Sequence, residues 1–304
     1  MPSNRDKSNS RRIEGVPFRR YRSVVLCLAF LLIVLAPVLA SQFHFSFIQG
    51  WYQSISIGNL WFVSPLEGLE SILTSRMLYG PLLIGMAIPV LIALFLGRVF
   101  CAWVCPISFI SELADTIIRF FSRRRYRRPS IRLPRRLFWA SLVAELSLAM
   151  VAGVPIFVFL SPPGLVGREI MMFVLFRTLA VEGVIVLAVV ALHLFSPRFF
   201  CRYLCPLGAL LGVIGAKRRL YVEFDVGSCI KCGMCKRACP LGLDPRQGDT
   251  LTAYCWNCGE CIDSCTTRAL GFRWKPLRVT PISSPLSEDR PVGGATSSEQ
   301  ETLD

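Results

Sequence analysis

Apolar residues run along this chain in long uncharged blocks. Residues 1–20 are polar and basic, with Arg5, Lys7, Arg11, Arg12, Arg19 and Arg20. From Val24 to Ala40 the chain is almost purely apolar, interrupted only by Pro37. Three further apolar blocks follow: Leu78 to Leu96, Leu137 to Leu160 and Phe173 to Phe195. Each block has about 20 residues, enough for a helix to cross ~30 Å of hydrocarbon. Val38-Leu39-Ala40 resembles the small-residue site of a cleavable signal peptide. The apolar stretch continues through Phe43, so the first block reads as a membrane anchor.

After Arg219 the pattern changes. Residues 221–274 are rich in cysteine, with short apolar pieces such as Tyr221-Val-Glu-Phe. Residues 276–304 are rich in Pro, Ser and Glu and are expected to be disordered. The expected organisation is a basic cytoplasmic tail (1–20), a four-helix membrane domain (21–220), a cysteine-rich domain (221–275) and a disordered tail (276–304). In fold class this is an all-α membrane domain of about four transmembrane helices, followed by a small α+β domain.

Composition agrees with that picture. Hydrophobic residues make up 53% of the 304 and charged residues 18%, against ~25% charged in soluble domains. Mean hydropathy is +0.51. These values argue against a soluble globular enzyme and against extensive disorder. The net charge of +14 is concentrated in particular loops. Segment 98–136 holds ten arginines, whereas segments 41–77 and 161–172 hold one each, Arg76 and Arg168. The positive-inside rule then puts both termini and segment 98–136 in the cytoplasm. The Arg123–Arg128 run reads as a topology signal against the inner leaflet, and no nucleic-acid partner is expected.

An internal repeat stands out. Arg98-Val-Phe-Cys-Ala-Trp-Val-Cys-Pro106 recurs as Arg198-Phe-Phe-Cys-Arg-Tyr-Leu-Cys-Pro206, one hundred residues later. Ser64-Pro65 and Ser161-Pro162 precede the two copies at similar places. Both copies follow a helix that runs from outside to inside, so the two repeats are parallel.

The thirteen cysteines carry the chemistry. Cys229-x2-Cys232-x2-Cys235-x3-Cys239-Pro240 has the bacterial ferredoxin spacing, and Cys255-x2-Cys258-x2-Cys261-x3-Cys265 repeats it. In that pattern the fourth cysteine of each run ligates the other cluster. The expected sets are Cys229, Cys232, Cys235 with Cys265, and Cys255, Cys258, Cys261 with Cys239. Two-residue gaps let three thiolates converge from one loop, and Gly233 and Gly259 let the backbone wrap closely. Two [4Fe–4S] clusters are therefore expected. Zinc ribbons use paired cysteines, and disulfides are disfavoured in a reducing cytoplasm. Cys265 is followed by Thr266 where the ferredoxin run usually has proline.

Cys101, Cys105, Cys201 and Cys205 form the two Cys-x3-Cys-Pro motifs. Pro106 and Pro206 should break the chain at the preceding cysteine and open a new helix. Ile107, Ile110, Leu113, Ile117 and Phe121 then give an amphipathic helix on the inner membrane surface. Cys105 and Cys205 would cap helix N-termini, where the dipole and Arg98, Arg198 and Arg202 lower a thiol pKa. Two redox dithiols and one shared metal site are both open. Cys27, alone in an apolar run, reads as packing.

Ionisable residues inside apolar blocks are functional candidates by default. Here they are Glu145, Glu182 and His193, with His44 beside the first block. A quinol oxidised in the membrane must release protons, which Glu or His can accept. The two histidines sit at opposite ends of their spans, so no haem is expected, and no CxxCH motif exists.

The combination resembles a known group. Four spans, two Cys-x3-Cys-Pro motifs and a two-cluster ferredoxin segment are similar to the NapH-type membrane subunits of quinol dehydrogenases and to MauN-like ferredoxin-type proteins. The resemblance covers roughly residues 20–275, including Phe100 to Pro106 and Cys201 to Ala209. Relatives of the NosR and CcoG types carry additional outer sequence, so the short form favours NapH or MauN. The resemblance implies electron transfer from the membrane quinol pool through iron–sulfur clusters to a second ferredoxin-type or cytochrome redox subunit. It leaves two alternatives, a redox assembly or maturation factor and a redox sensor.

Overall fold

Prolines and left-handed residues decide where the helices of this chain begin and end. The structure is a computed structural model. It describes residues 17–43, 48–51, 54–57, 60–122, 133–156, 161–178, 181 and 183–274.

Helix α1 (Phe18–Phe43) carries the first apolar block. Three short antiparallel strands follow: β1 (Ile48–Trp51), β2 (Ser54–Ile57) and β3 (Leu60–Val63). Their order is β1-β2-β3, with Ile48 opposite Ile57 and Ser54 opposite Val63. Pro65 then opens α2 (Pro65–Ser75), whose end is capped by Arg76 in the left-handed region, φ 54°. The second apolar block is α3 (Gly80–Leu96), followed by the short α4 (Val99–Trp103) and by α5 (Pro106–Ser122).

The third and fourth apolar blocks are not single helices. Helix α6 (Arg136–Ala152) stops at Gly153, φ 67°, whose N–H bonds Ala149 O. A separate helix α7 (Pro162–Phe176) starts on Pro162, with the Ser161 hydroxyl accepting the Gly164 N–H at 3.3 Å. Arg177, φ 57°, ends it, and α8 (Gly183–Phe195) begins anew. Hydropathy runs straight across these breaks because it registers apolarity and not backbone conformation. A π-turn (Phe200–Leu204) and α9 (Pro206–Ile214) complete this part.

Among the described residues one helix is long and apolar enough to cross a membrane, Phe18–Val38, with mean hydropathy 2.3. Helices α3 and α8, with 17 and 13 residues, reach about 25 and 20 Å at ~1.5 Å per residue. Large apolar side chains lie exposed on several helices: Leu28 and Leu31 on α1, Ile84 and Leu91 on α3, Val143 and Val151 on α6, and Leu187 and Phe195 on α8. Exposed apolar surface of this extent marks contact with lipid or another protein.

The cysteine-rich segment is closed by β4 (Leu220–Phe224) and β5 (Leu270–Trp274), paired antiparallel with Val222 opposite Phe272. Between them lie two short helices, α10 (Met234–Ala238) and α11 (Glu260–Asp263). The segment is fastened to the helical part by polar bonds. Buried Asn257 donates from Nδ2 to Leu96 O and Leu220 O, both at 2.9 Å. The first of these satisfies a carbonyl that the end of α3 leaves over. Trp103 Nε1 donates to Asn257 O at 3.2 Å, and the Arg218 guanidinium donates to Thr250 O and Thr252 O. At the start of α1, the Phe18 and Arg19 N–H groups donate to the Asp263 carboxylate at 3.2 and 2.7 Å. A carboxylate there satisfies free helix donors and complements the dipole.

Candidate functional site

Both four-cysteine runs are bent by the same backbone device. Lys231 (φ 55°) and Gly233 (φ 72°) flank Cys232 in the left-handed region, and Asn257 (φ 53°) and Gly259 (φ 81°) flank Cys258 in the same way. These reversals wrap each Cys-x2-Cys-x2-Cys loop into a cup. A Cβ at Gly259 would also stand 2.6 Å from Phe18 Cβ. Peptide donors turn toward sulfur: Lys231 N–H to Cys229 Sγ at 3.3 Å and Leu243 N–H to Cys239 Sγ at 3.4 Å.

The two runs cross over. Cys239 lies within electrostatic reach of Cys258 and Cys255, and Cys261 within reach of Cys258, Cys239 and Cys255 and, last, of Cys235. Cys265 lies near Cys235. Cys232 is exposed and Cys229 and Cys265 are half-buried, whereas Cys235, Cys255, Cys258 and Cys261 are buried. Cys255 and Cys258 share one apolar core with Cys101, Cys105, Cys201 and Cys205. Burial pushes the Cys258 thiol up to about 11, although the Arg22 guanidinium works against it. Thiols held in this way stay protonated at neutral pH until a metal centre displaces the proton.

The Cys-x3-Cys-Pro cysteines correct one expectation. Cys105 and Cys205 do precede the helices opened by Pro106 and Pro206, and the Gly208 N–H reaches Cys205 Sγ at 3.3 Å. Their thiol pKa values are nevertheless raised. All four thiols are buried, and burial outweighs the helix dipoles and arginines. Cys105 is pushed up to about 12 and Cys201 to about 11, with Arg198 opposing the latter. Cys205 is raised well above the ordinary range by burial and by its thiol neighbours. They are not exposed, activated thiols. Cys27 is exposed on α1 and so does not pack in the core.

His193 belongs to a buried polar network. Its Nδ1 accepts the Arg198 N–H at 3.1 Å, and its Nε2 lies 3.0 Å from Asp115 Oδ1. In the neutral ring this assigns the proton to Nε2, as donor to Asp115. Arg198 Nη1 donates to Ser108 O at 2.9 Å, while its guanidinium lies 4.0 Å from Asp115 and 3.9 Å from Glu112. Arg22 bridges Glu112 and Glu260. Burial alone would raise the Asp115 carboxyl. Its hydrogen bond to His193 and the Arg198 charge more than offset this and hold it below the usual carboxylate range. Glu112 is likewise held down, by Arg22 and then Arg198 against burial.

Two small cavities flank the network. One, of about 40 Å³, is lined by Arg22, Glu112, Asp115, Arg198, Cys239 and Glu260 among others, and has room for about one water. The second, of about 10 Å³, is lined by Ile107, Ile110, Ala114, Val189 and His193 among others. The network therefore joins an apolar cleft at His193 to a polar cavity at Cys239.

Sequence reading missed Asp115, Glu112, Arg22 and Glu260. The signal for the first two was available, because they stand three residues apart on α5, the helix read only by its apolar face. Glu145 lies half-buried on α6, and among the described residues its Oε1 has no hydrogen-bond partner. Glu182 and His44 lie outside the described residues.

Comparison with known proteins follows the same division of the chain. A family model described as a 4Fe-4S binding domain matches residues 80–129 and 179–222, and a 4Fe-4S dicluster domain matches 217–276. The ferredoxin-type protein NapH of Escherichia coli K12 is 32% identical over 216 residues, covering 66% of this chain and 71% of that protein. The methylamine utilization ferredoxin-type protein MauN of Methylobacillus flagellatus is 32% identical over 243 residues, covering 75% and 82%. The uncharacterized protein MJ0750 of Methanocaldococcus jannaschii is 29% identical over 199 residues, covering 64% and 80%. No solved structure matches.

Proposed function

Since the chain belongs to the NapH and MauN family of ferredoxin-type iron–sulfur proteins, we propose that it takes electrons from membrane quinol and hands them to a partner redox protein. The observation that carries this reading is the network between Cys239 and His193. It places a cysteine of the ferredoxin segment and the ionised Asp115 on one polar cavity, and Asp115 is held by His193, which lines a small apolar cleft.

The ligands we assign are Cys229, Cys232, Cys235 and Cys265 for an outer cluster, and Cys255, Cys258, Cys261 and Cys239 for an inner one. The donor set fits. It offers eight thiols, matched left-handed loops and peptide N–H groups aimed at sulfur. When bound, two [4Fe–4S] clusters supply one-electron transfer. Arg22 lies within electrostatic reach of Cys258, and Arg98 and Arg218 of Cys255, so the protein sets cationic groups against the inner sulfurs. At the other end, Asp115 is ionised at neutral pH and accepts a proton from a quinol hydroxyl at a carboxylate oxygen. His193 Nε2–H orients that carboxylate, and the Arg198 charge steadies it. The proton then moves toward Glu112 and the small polar cavity.

For the membrane, the proposal keeps four helices in two parallel repeats, inner-membrane residence and cytoplasmic termini. The order helix, helix, short turn, Cys-Pro helix in α2 to α5 and again in α7 to α9 supports it. So do the exposed apolar side chains of α1, α3, α6 and α8. The bonds from the start of α1 to Asp263 favour the N-terminus and the ferredoxin segment on one side. The equal likeness to MauN favours a second reading of the acceptor, as a protein undergoing maturation; the donor side is the same.

The test is direct. Menaquinol added to the anaerobic, liposome-embedded protein reduces part of the cluster population that dithionite reduces fully, read by EPR. Full dithionite reduction with no menaquinol reduction sinks the quinol reading and favours a sensor or maturation role.

A further inference from the structure

The two four-cysteine runs of the ferredoxin segment differ in charge. Residues 229–240 hold Lys231, Lys236 and Arg237 and no acidic residue, whereas residues 255–265 hold Glu260 and Asp263 and no basic one. The acids of the second run are turned into the protein. Glu260 meets Arg22, and the Asp263 carboxylate takes the first N–H groups of α1. The basic residues of the first run are all exposed. Arg237 Nη2 donates to Cys232 O at 2.8 Å, which keeps its charge beside that cysteine. Lys236 Nζ lies 3.3 Å from Asp244, a buried carboxylate that Arg246 also holds. The Arg246 charge reaches Cys235 and Cys229. Four cationic side chains thus stand around the outer set.

The same face brings sulfur to the surface. Of the eight cysteines in the two runs, Cys232 alone is exposed. Close to it in the chain, Ile230 is 65% exposed and Val226 75%. The acid of this loop, Asp225, is turned back on the loop itself, accepting from the Gly227 N–H at 3.1 Å and the Ser228 hydroxyl at 2.6 Å. Large apolar side chains held in water inside a charged rim have the make-up of a contact surface. A membrane surface would also attract the basic rim. It would, however, cover the one sulfur that reaches solvent and close the exit for electrons. Cys255 and Cys258 offer no second exit, because they lie in the core shared with the helical part.

We propose that the face centred on Cys232 and Ile230, ringed by Lys231, Lys236, Arg237 and Arg246, docks an acidic one-electron acceptor protein. This rests on the reading above that the chain hands electrons to a partner, and it assigns that partner a surface of carboxylates around an apolar centre. In the docked pair one electron leaves the outer set and the acceptor's oxidised centre takes it. No bond forms or breaks, and no proton moves. Opposite charges raise the rate of encounter by ~10- to 10³-fold at low salt, and added salt screens the attraction. Like charges on a wrong partner are turned away by the same rim.

The experiment uses two probes, cytochrome b5, an acidic haem protein, and cytochrome c, a basic one. The full-length protein in neutral-lipid nanodiscs is reduced with dithionite, freed of excess reductant and mixed with each probe. Dithionite loads the chain, so the result stands whether or not menaquinol can. At low salt cytochrome b5 is reduced fast, and its rate falls at least about 10-fold as salt rises from ~0.01 to ~0.5 M. Cytochrome c is reduced more slowly than cytochrome b5 at low salt. The double variant K231E/K236E weakens binding of cytochrome b5 to the oxidised protein and slows its reduction by about 10-fold. R136E/K217E, the same charge change at exposed positions elsewhere, keeps both near wild type. EPR counts the clusters in each sample, so a loading defect is seen apart from a docking defect. Should K231E/K236E fail to load, K236E alone gives the comparison. A salt-independent rate, faster reduction of cytochrome c at low salt, or equal losses in the two double variants overturns the proposal. So does an outer-set EPR signal that anionic-lipid nanodiscs shield from a water-soluble chromium(III) chelate, which gives the face to the membrane.

Discussion

Cys239→Ala removes the inner cluster and leaves the outer one. Cys239 follows Cys235 closely in the chain, and a reader of sequence order alone would put it in the outer set. In the fold it stands with Cys255, Cys258 and Cys261, and Cys265 stands with Cys235. The expected loss is about four irons per chain. The EPR spectrum of C239A should match that of C258A and differ from that of C232A, which removes the exposed ligand of the other set. If C239A instead matches C232A, the crossover is wrong and each run closes its own cluster.

Asp115→Asn slows menaquinol-driven reduction of the clusters by about 100-fold, the lower range for loss of a proton acceptor. Reduction by dithionite stays at the wild-type rate. The amide keeps the shape of the carboxylate and can still accept from His193 Nε2–H, so the loss is one of basicity and not of packing. The pH dependence follows from the direction of the shift. The folded-state pKa of Asp115 lies below its ordinary value. Its ionised form, and the stability this contributes, is therefore complete above the ordinary carboxylate range. Both are lost as pH falls through the lowered value. The wild-type rate should carry an acid limb at that low pH, and D115N should lack it. An undiminished menaquinol rate in D115N assigns the proton elsewhere and removes the carboxylate from the scheme.

How much of this could be read from residues alone depends on what kind of physics each feature obeys. Cysteine spacing is nearly covalent information. Two-residue gaps limit where three sulfurs can go, so the ferredoxin segment and its α+β character were legible before any packing was known. The left-handed turn at Lys231 was not, because lysine does not favour positive φ, whereas Asn257 is of a type enriched there. Helix ends in the apolar blocks were only half legible. Pro162 is a visible start, but Gly153 and Arg177 end helices inside stretches that stay apolar. The thiol chemistry at Cys105 and Cys205 was misread in sign. Helix dipoles and arginines are local and visible in sequence, whereas burial is a product of the whole fold and here it wins. The convergence of the two Cys-x3-Cys-Pro motifs had the same limit. Repetition shows that two segments are alike, but only tertiary packing tells whether they meet. Asp115 was hidden for a simpler reason. On α5 the apolar stripe drew attention to the lipid side, while the acids at positions 112 and 115 turn toward Arg22, Arg198 and His193.

The most direct measurement is a potentiometric EPR titration of the protein in native-like membranes, with the quinone pool as internal reference. If the chain draws electrons from quinol, at least one cluster becomes reduced over the range in which the pool itself passes from quinone to quinol. If every cluster stays oxidised while the pool is fully reduced, and only stronger reductants populate the signals, then quinol is not the donor.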